Sequence, residues 1–149
     1  MIRLEIVKQP TPALLEGMNR LLPQLSSTAP VVSDSYLAAL LATQGVDLMV
    51  AIDDEQVVAM VTLVSFKIPS GVRGWIEDVI VDEHFRGRGV GRQLMIGAIE
   101  EFKRNGVRTI DLTSRESRTA ANAMYRDLGF QLRETNVYRF FLESPEPEK

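Results

Sequence analysis

Val79-Ile80-Val81-Asp82-Glu83-His84-Phe85-Arg86-Gly87-Arg88-Gly89-Val90-Gly91-Arg92 is the stretch whose reading decides the fold. It describes an apolar strand running through a short loop into a helix whose first turn is rich in glycine. The start of a helix leaves four backbone N–H groups without partners, and the helix dipole adds partial positive charge there. Side-chain caps normally answer those donors, yet Arg86 to Gly91 contains no Ser, Thr, Asp or Asn. Gly87, Gly89 and Gly91 remove the Cβ atoms that would keep a bulky anion off the backbone, while Arg86, Arg88 and Arg92 supply cations. No acidic residue occurs from His84 to Ile99, although the chain as a whole is acidic. This is the chemistry of a phosphate or pyrophosphate cradle. A tight turn bearing solvated arginines is the plainer reading; the missing cap, the local charge bias and the strand-to-helix setting weigh against it.

Working outward, the apolar periodicity predicts strands at Ile2–Val7, Leu48–Ile52, Gln56–Phe66, Trp75–Asp82 and Arg108–Thr113. Helical spacing predicts helices over Ala13–Leu25, Tyr36–Thr43, Gly89–Asn105 and Thr119–Leu128, several of them bounded by capping or glycine signals. Phe130–Leu132 and Asn136–Leu142 are expected to form a terminal strand pair. The element order implies one α/β (α+β) domain over residues 1–143, with a mixed, mostly antiparallel sheet of about seven strands flanked by about four helices. Residues 144–149 are expected to be a polar C-terminal tail.

Composition narrows the chemistry. The chain has 149 residues, 45% hydrophobic and 25% charged, which suits one soluble globular domain. A net charge of −3 lacks the global positive field of a nucleic-acid binder, so any anion site is local. There is no cysteine, which excludes disulfides, thiolate metal sites and an acyl-cysteine route. With His84 alone, an all-histidine metal site is impossible, and no metal is expected. No stretch approaches the roughly 18 apolar residues of a membrane helix, so no membrane partner is expected and a cytoplasmic location is the default.

Two familiar phosphate sites fit poorly. A Walker A loop needs Lys-Ser or Lys-Thr after its last glycine, and neither occurs. A dinucleotide-binding unit is a more serious rival, because Asp111 ends a strand about 20 residues on, where a ribose-binding acid belongs. The glycine spacing disagrees, however: Arg92 stands where the third glycine of that pattern would fall. The long antiparallel region before the loop also disagrees.

The run Arg86-x-x-Gly89-x-Gly91, after an apolar strand and before an amphipathic helix, resembles the acetyl-CoA pyrophosphate loop of the GNAT superfamily of N-acetyltransferases. Ala121-Asn122-Ala123-Met124-Tyr125-Arg126-Asp127-Leu128-Gly129-Phe130 is similar to the same family's tyrosine-bearing helix followed by Gly-Phe. The resemblance covers most of the chain. It implies that backbone N–H groups of Arg86, Gly87, Arg88, Gly89, Val90, Gly91 and Arg92 bind the pyrophosphate of acetyl-CoA, used as co-substrate. It also implies that the main chain of Val79, Ile80 and Val81 holds the pantetheine arm, with an N–H near Val79 polarising the thioester carbonyl. Tyr125 matches the residue that protonates the departing thiolate; the plainer reading makes it a core aromatic.

Two departures from the family pattern stand out. Arg118 occupies the place of an asparagine that contacts the cofactor, and Asn122, one turn before Tyr125, is either the replacement contact or a solvated or packing residue. Thr113 falls where some members carry a glutamate base. The base is therefore sought in Glu77 and Asp78, adjacent carboxylates which strand alternation sends to opposite faces, with Glu77 sharing its parity with Val79 and Val81. Glu77 is preferred. His84 reads as a loop residue near solvent.

The expected activity is transfer of acetyl from acetyl-CoA to an amine acceptor (a small molecule, an amino acid or a peptide N-terminus) by direct attack in a ternary complex. A non-catalytic acyl-CoA-binding regulatory module is the alternative, and a nicotinamide enzyme a more distant one. The acceptor is not legible in the sequence, and a homodimer is left open.

Overall fold

The computed structural model of the chain describes residues 1–143. It forms two compact units, residues 1–112 and residues 113 onward. The expected polar tail, 144–149, lies outside the described residues.

The first unit is built on a five-stranded sheet in the order β1 (Ile2–Ile6), β2 (Val46–Asp53), β3 (Gln56–Ile68), β4 (Gly71–Val81), β5 (Thr109–Asp111). The first three pairings are antiparallel and the last, β4 with β5, is parallel. Asp54 and Glu55, both with positive φ, make the tight turn between β2 and β3, the backbone twist that two-residue hairpins favour.

Alternation along β2 sends Leu48 and Val50 to one face and Met49 and Ala51 to the other, and all four are buried. The first face is covered by α1 (Pro12–Leu25) and α2 (Asp34–Ala42). Leu14, Met18, Leu21 and Leu37 pack there with Leu48, Val50, Val57, Met60 and Ile80. Both helices begin at side-chain caps: Leu14 N–H donates to Thr11 Oγ1 at 3.1 Å, and Tyr36 N–H to Ser33 Oγ at 3.1 Å. Gly17 brings α1 close to the sheet, since a Cβ there would stand 2.7 Å from Val57 Cβ.

The second face is covered by α3 (Val90–Arg104), whose Val90, Leu94, Met95, Ala98 and Phe102 are buried. A Cβ on Gly97 would meet Leu4 Cδ1 at 2.8 Å, and one on Gly74 of β4 would meet Phe102 Cε1 at 2.8 Å. Helix and sheet therefore approach through glycine from both sides. The layering is helix, sheet, helix, and the fold class expected from the pattern is the one observed.

The second unit contains α4 (Thr119–Asp127). Tyr125 is its buried residue and meets Phe130 edge to face, centroids 5.9 Å apart. Here one expectation is corrected: Phe130–Leu132 and Asn136–Leu142 form no strands among the described residues, so the sheet has five strands rather than about seven. Leu132, Val137, Tyr138 and Phe140 have strand-like composition, yet all four are more than 70% exposed. Strand propensity measures fit to a half-buried pleated surface, and a segment that finds no ladder does not express it. No helix among the described residues is long and apolar enough to cross a membrane.

Candidate active site

β4 does not run straight into the loop. Its register with β3 places Glu77 opposite Thr62 but Ile80 opposite Met60, so Val61 stands against both Asp78 and Val79. This is a β-bulge, and Asp78 carries it in the left-handed region with φ of 50°. Glycine usually takes that conformation in a bulge, with aspartate among the side chains that tolerate it.

The bulge overturns the expected facing. Directly opposed residues of an antiparallel pair share a face, so Ile80 lies with Met60 on the α1 side. Glu77, opposite Thr62, lies on that side too. Glu77 therefore shares a face with Ile80, not with Val79 and Val81, because the inserted residue shifts the alternation by one. Trp75 Nε1 donates to Glu77 Oε1 at 2.7 Å and holds that carboxylate along the strand. Burial, and to a lesser degree the negative charge of Glu77, raise the Asp78 carboxyl above the ordinary aspartate range.

Beyond Val81 the chain enters a 3-10 turn, Glu83–Phe85. Asp82, 3% exposed, accepts from His84 N–H at 3.0 Å and caps this turn. His84 is exposed, 3.7 Å from Glu83, a loop residue as expected. Arg86 turns back so that its Nε donates to the Val81 carbonyl at 3.0 Å. The Arg88 guanidinium lies over the Phe85 ring, 5.0 Å from its centroid.

Gly87 and Gly89 follow, with φ of 76° and 78°, and a Cβ on either would meet nothing within 4 Å. Gly89 is the N-cap of α3 and makes no side-chain cap hydrogen bond; the first turn has no acidic residue. Unlike α1 and α2, α3 thus begins at a cap residue that offers no side-chain acceptor. Val79, Ile80 and Val81 end β4, and Arg86 through Arg92 lead from the 3-10 turn into α3. Neither Gly87 nor Gly89 places a Cβ in the way of an anion at this helix start.

Tyr125, Asn122 and Arg118 belong to the second unit. Burial raises the Tyr125 phenol above its ordinary range, partly offset by the positive charge of Arg118, which also hydrogen-bonds the phenol. Asn122 Nδ2 donates to the Arg115 carbonyl at 3.0 Å, tying α4 to the turn before it. Sequence reasoning missed Arg118 as the partner of Tyr125, although its place one helical turn before Asn122 and two before Tyr125 is a readable signal. It also missed the Trp75–Glu77 contact, readable as an i, i+2 pair on one strand face.

The chain belongs to the acetyltransferase (GNAT) family, whose model matches residues 14–130. It is 43% identical over 53 residues to the [ribosomal protein bS18]-alanine N-acetyltransferase of Salmonella typhimurium, a match covering 36% of each protein. The chain thus spans about a third of the length of that curated relative. Its fold matches a Trypanosoma brucei acetyltransferase with TM-score 0.78 at 24% identity, covering 95% of this chain and 100% of that one. It also matches AAC(6')-Iy in complex with the bisubstrate analogue CoA-S-monomethyl-acetylneamine, with TM-score 0.76 at 19% identity, covering 95% and 98%.

Proposed function

We propose that this chain is an N-acetyltransferase that moves an acetyl group from acetyl-CoA to a primary amine by direct transfer in a ternary complex. The observation that carries this reading is the start of α3, where Gly89 caps the helix without a side chain and two left-handed glycines open onto free space. Backbone N–H groups from Arg86 to Arg92 hold the pyrophosphate. The main chain of Val79, Ile80 and Val81 holds the pantetheine arm, and an N–H near Val79 donates to the thioester oxygen as it gains charge. Asn122 contacts the cofactor through its carbonyl oxygen, its amide nitrogen being engaged by Arg115.

Acetyl-CoA, when bound, supplies the activated acetyl group. The amine nitrogen forms its bond to the carbonyl carbon as the carbon–sulfur bond breaks. Asp78 removes the amine proton, directly or through water, and its raised carboxyl is better matched to that task near neutral pH than an ordinary aspartate. Glu77 stands beside it as a negative charge. Tyr125, whose phenol burial raises, gives its proton to the leaving sulfur.

The acceptor class is tested directly. The full chain is incubated with acetyl-CoA and a panel holding alanyl peptides, amino acids and aminoglycosides, thiol release is followed, and products are weighed. Thiol release with a product heavier by one acetyl supports the reading. Binding of CoA with no turnover on any amine would favour a non-catalytic acyl-CoA-binding module instead.

A further inference from the structure

Asp82 is the buried charged residue of the first unit's core, and it stands where β4 hands over to the glycine loop. Its Oδ1 accepts from His84 N–H, and its backbone N–H donates to the Val58 carbonyl at 2.8 Å. Its Oδ2 lies 3.5 Å from Nε of Arg20, a residue of α1 whose Nη2 donates to the Val57 carbonyl. One turn further along α1, Gln24 Oε1 accepts from Glu83 N–H at 2.9 Å. Phe85 N–H returns to the Asp82 carbonyl at 2.8 Å. Three successive backbone donors, Glu83, His84 and Phe85, are thus fixed in direction, two of them by groups that α1 either provides or holds. A buried carboxylate needs such partners, because an unpaired one is costly. The pair is more than a stabilising contact, since what it fixes is the stem of the loop that opens at Gly87.

We propose that Arg20, Gln24 and Asp82 are positioning residues for cofactor binding: a clamp from α1 that sets the direction in which the Arg86–Arg92 backbone donors point. The inference rests on the reading of that loop as a CoA pyrophosphate site. Donors aimed at an anion lose much of their value when their supports loosen, even when every donor is still present. Arg20 and Gln24 share one face of α1, so the helix holds the stem at two points.

The test measures CoA affinity by calorimetry, well below the melting temperature, for the wild-type chain, Asp82→Asn, Gln24→Ala and Leu40→Ala. Asp82→Asn keeps an oxygen for His84 N–H but removes the charge facing Arg20. Gln24→Ala removes the acceptor for Glu83 at a partly exposed position, which gives a second reading of the clamp if the aspartate variant is unstable. Leu40→Ala destabilises the same sheet face from α2, where Leu40 packs on the core, and touches nothing in the clamp. Expected is a loss of CoA affinity of roughly tenfold in Asp82→Asn, a smaller loss in Gln24→Ala, and none in Leu40→Ala. If wild type binds CoA and both clamp variants bind it equally well, or lose no more than Leu40→Ala, the clamp is overturned. If wild type itself does not bind CoA, the loop reading falls and takes the clamp with it.

Discussion

Ile76 and Ile80 face opposite sides of the sheet although they stand four positions apart on one strand, because Ile76 pairs with Leu63 and Ile80 with Met60. The residue that breaks the alternation is Asp78, held at positive φ. An aspartate there, at positive φ beside Glu77, is a poor choice for stability and a useful one for proton transfer.

Its pH dependence follows with an unusual sign. The carboxyl is raised in the folded chain, so the native state binds this proton more tightly than the unfolded state does. Stability from this group is therefore full at low pH and declines as pH rises from the ordinary aspartate range through the raised value. Asp78→Asn, which also tolerates the left-handed region, should melt higher than wild type above that window and no higher below it. The same variant should lose roughly 10²-fold in kcat/KM near neutral pH, with the acid limb of the profile flattened. Melting curves and rates across pH check both halves; a larger rate loss in Glu77→Gln than in Asp78→Asn would return the base to Glu77.

The glycine loop separates charge from strain. Gly89→Asp and Gly89→Asn place side chains of similar size at a φ of 78°, but only the first adds a negative charge where the pyrophosphate is to sit. Acetyl-CoA affinity should fall at least tenfold in Gly89→Asp, about 1.4 kcal/mol, and clearly less in Gly89→Asn. Equal losses in calorimetric titrations would mean that backbone strain alone is responsible.

Most of the frame was legible because burial imposes a period. Leu48 to Ala51 alternate between two helical layers, and α3 shows its apolar face from Val90 to Phe102. The uncapped glycine start of α3 was legible for a local reason, the absence of any Ser, Thr, Asp or Asn between Arg86 and Gly91. The bulge was not, since a run such as Ile76-Glu77-Asp78-Val79 looks the same whether or not β3 skips a residue; register is a property of two strands. Arg20 and Asp82 are far apart in sequence, and nothing local marks them as partners. The terminal strand pair was over-read, because Val137 to Leu142 have the composition of a strand without a ladder to join.

Close packing of α1 gives a stability test. A Cβ on Gly17 would lie 2.7 Å from Val57 Cβ, and neither atom moves without its backbone. Gly17→Ala should therefore destabilise the chain by about 1–3 kcal/mol, although alanine is favoured over glycine inside a helix by about 1 kcal/mol. Urea unfolding measures it; a stabilised variant would show that α1 shifts freely on the sheet.

Tyr125 can be followed by its own absorbance. The chain has three tyrosines, of which Tyr36 and Tyr138 are 64% and 88% exposed and Tyr125 is 6% exposed. Burial raises the Tyr125 phenol and the Arg118 charge offsets only part of that. In an alkaline titration read at the tyrosinate band, wild type should show a late step above the ordinary tyrosine range. The late step should vanish in Tyr125→Phe. Because the folded chain holds this proton more tightly, its contribution to stability is full below the ordinary tyrosine range and is lost as pH rises through the raised value. At neutral pH the phenol is therefore an intact acid, and Tyr125→Phe should lower kcat by about 10²–10⁴-fold while leaving the affinity for acetyl-CoA nearly unchanged. Phenylalanine keeps the edge-to-face contact with Phe130, so the fold should hold. A variant with full kcat and a lowered melting temperature would make Tyr125 a packing residue and leave proton delivery to water.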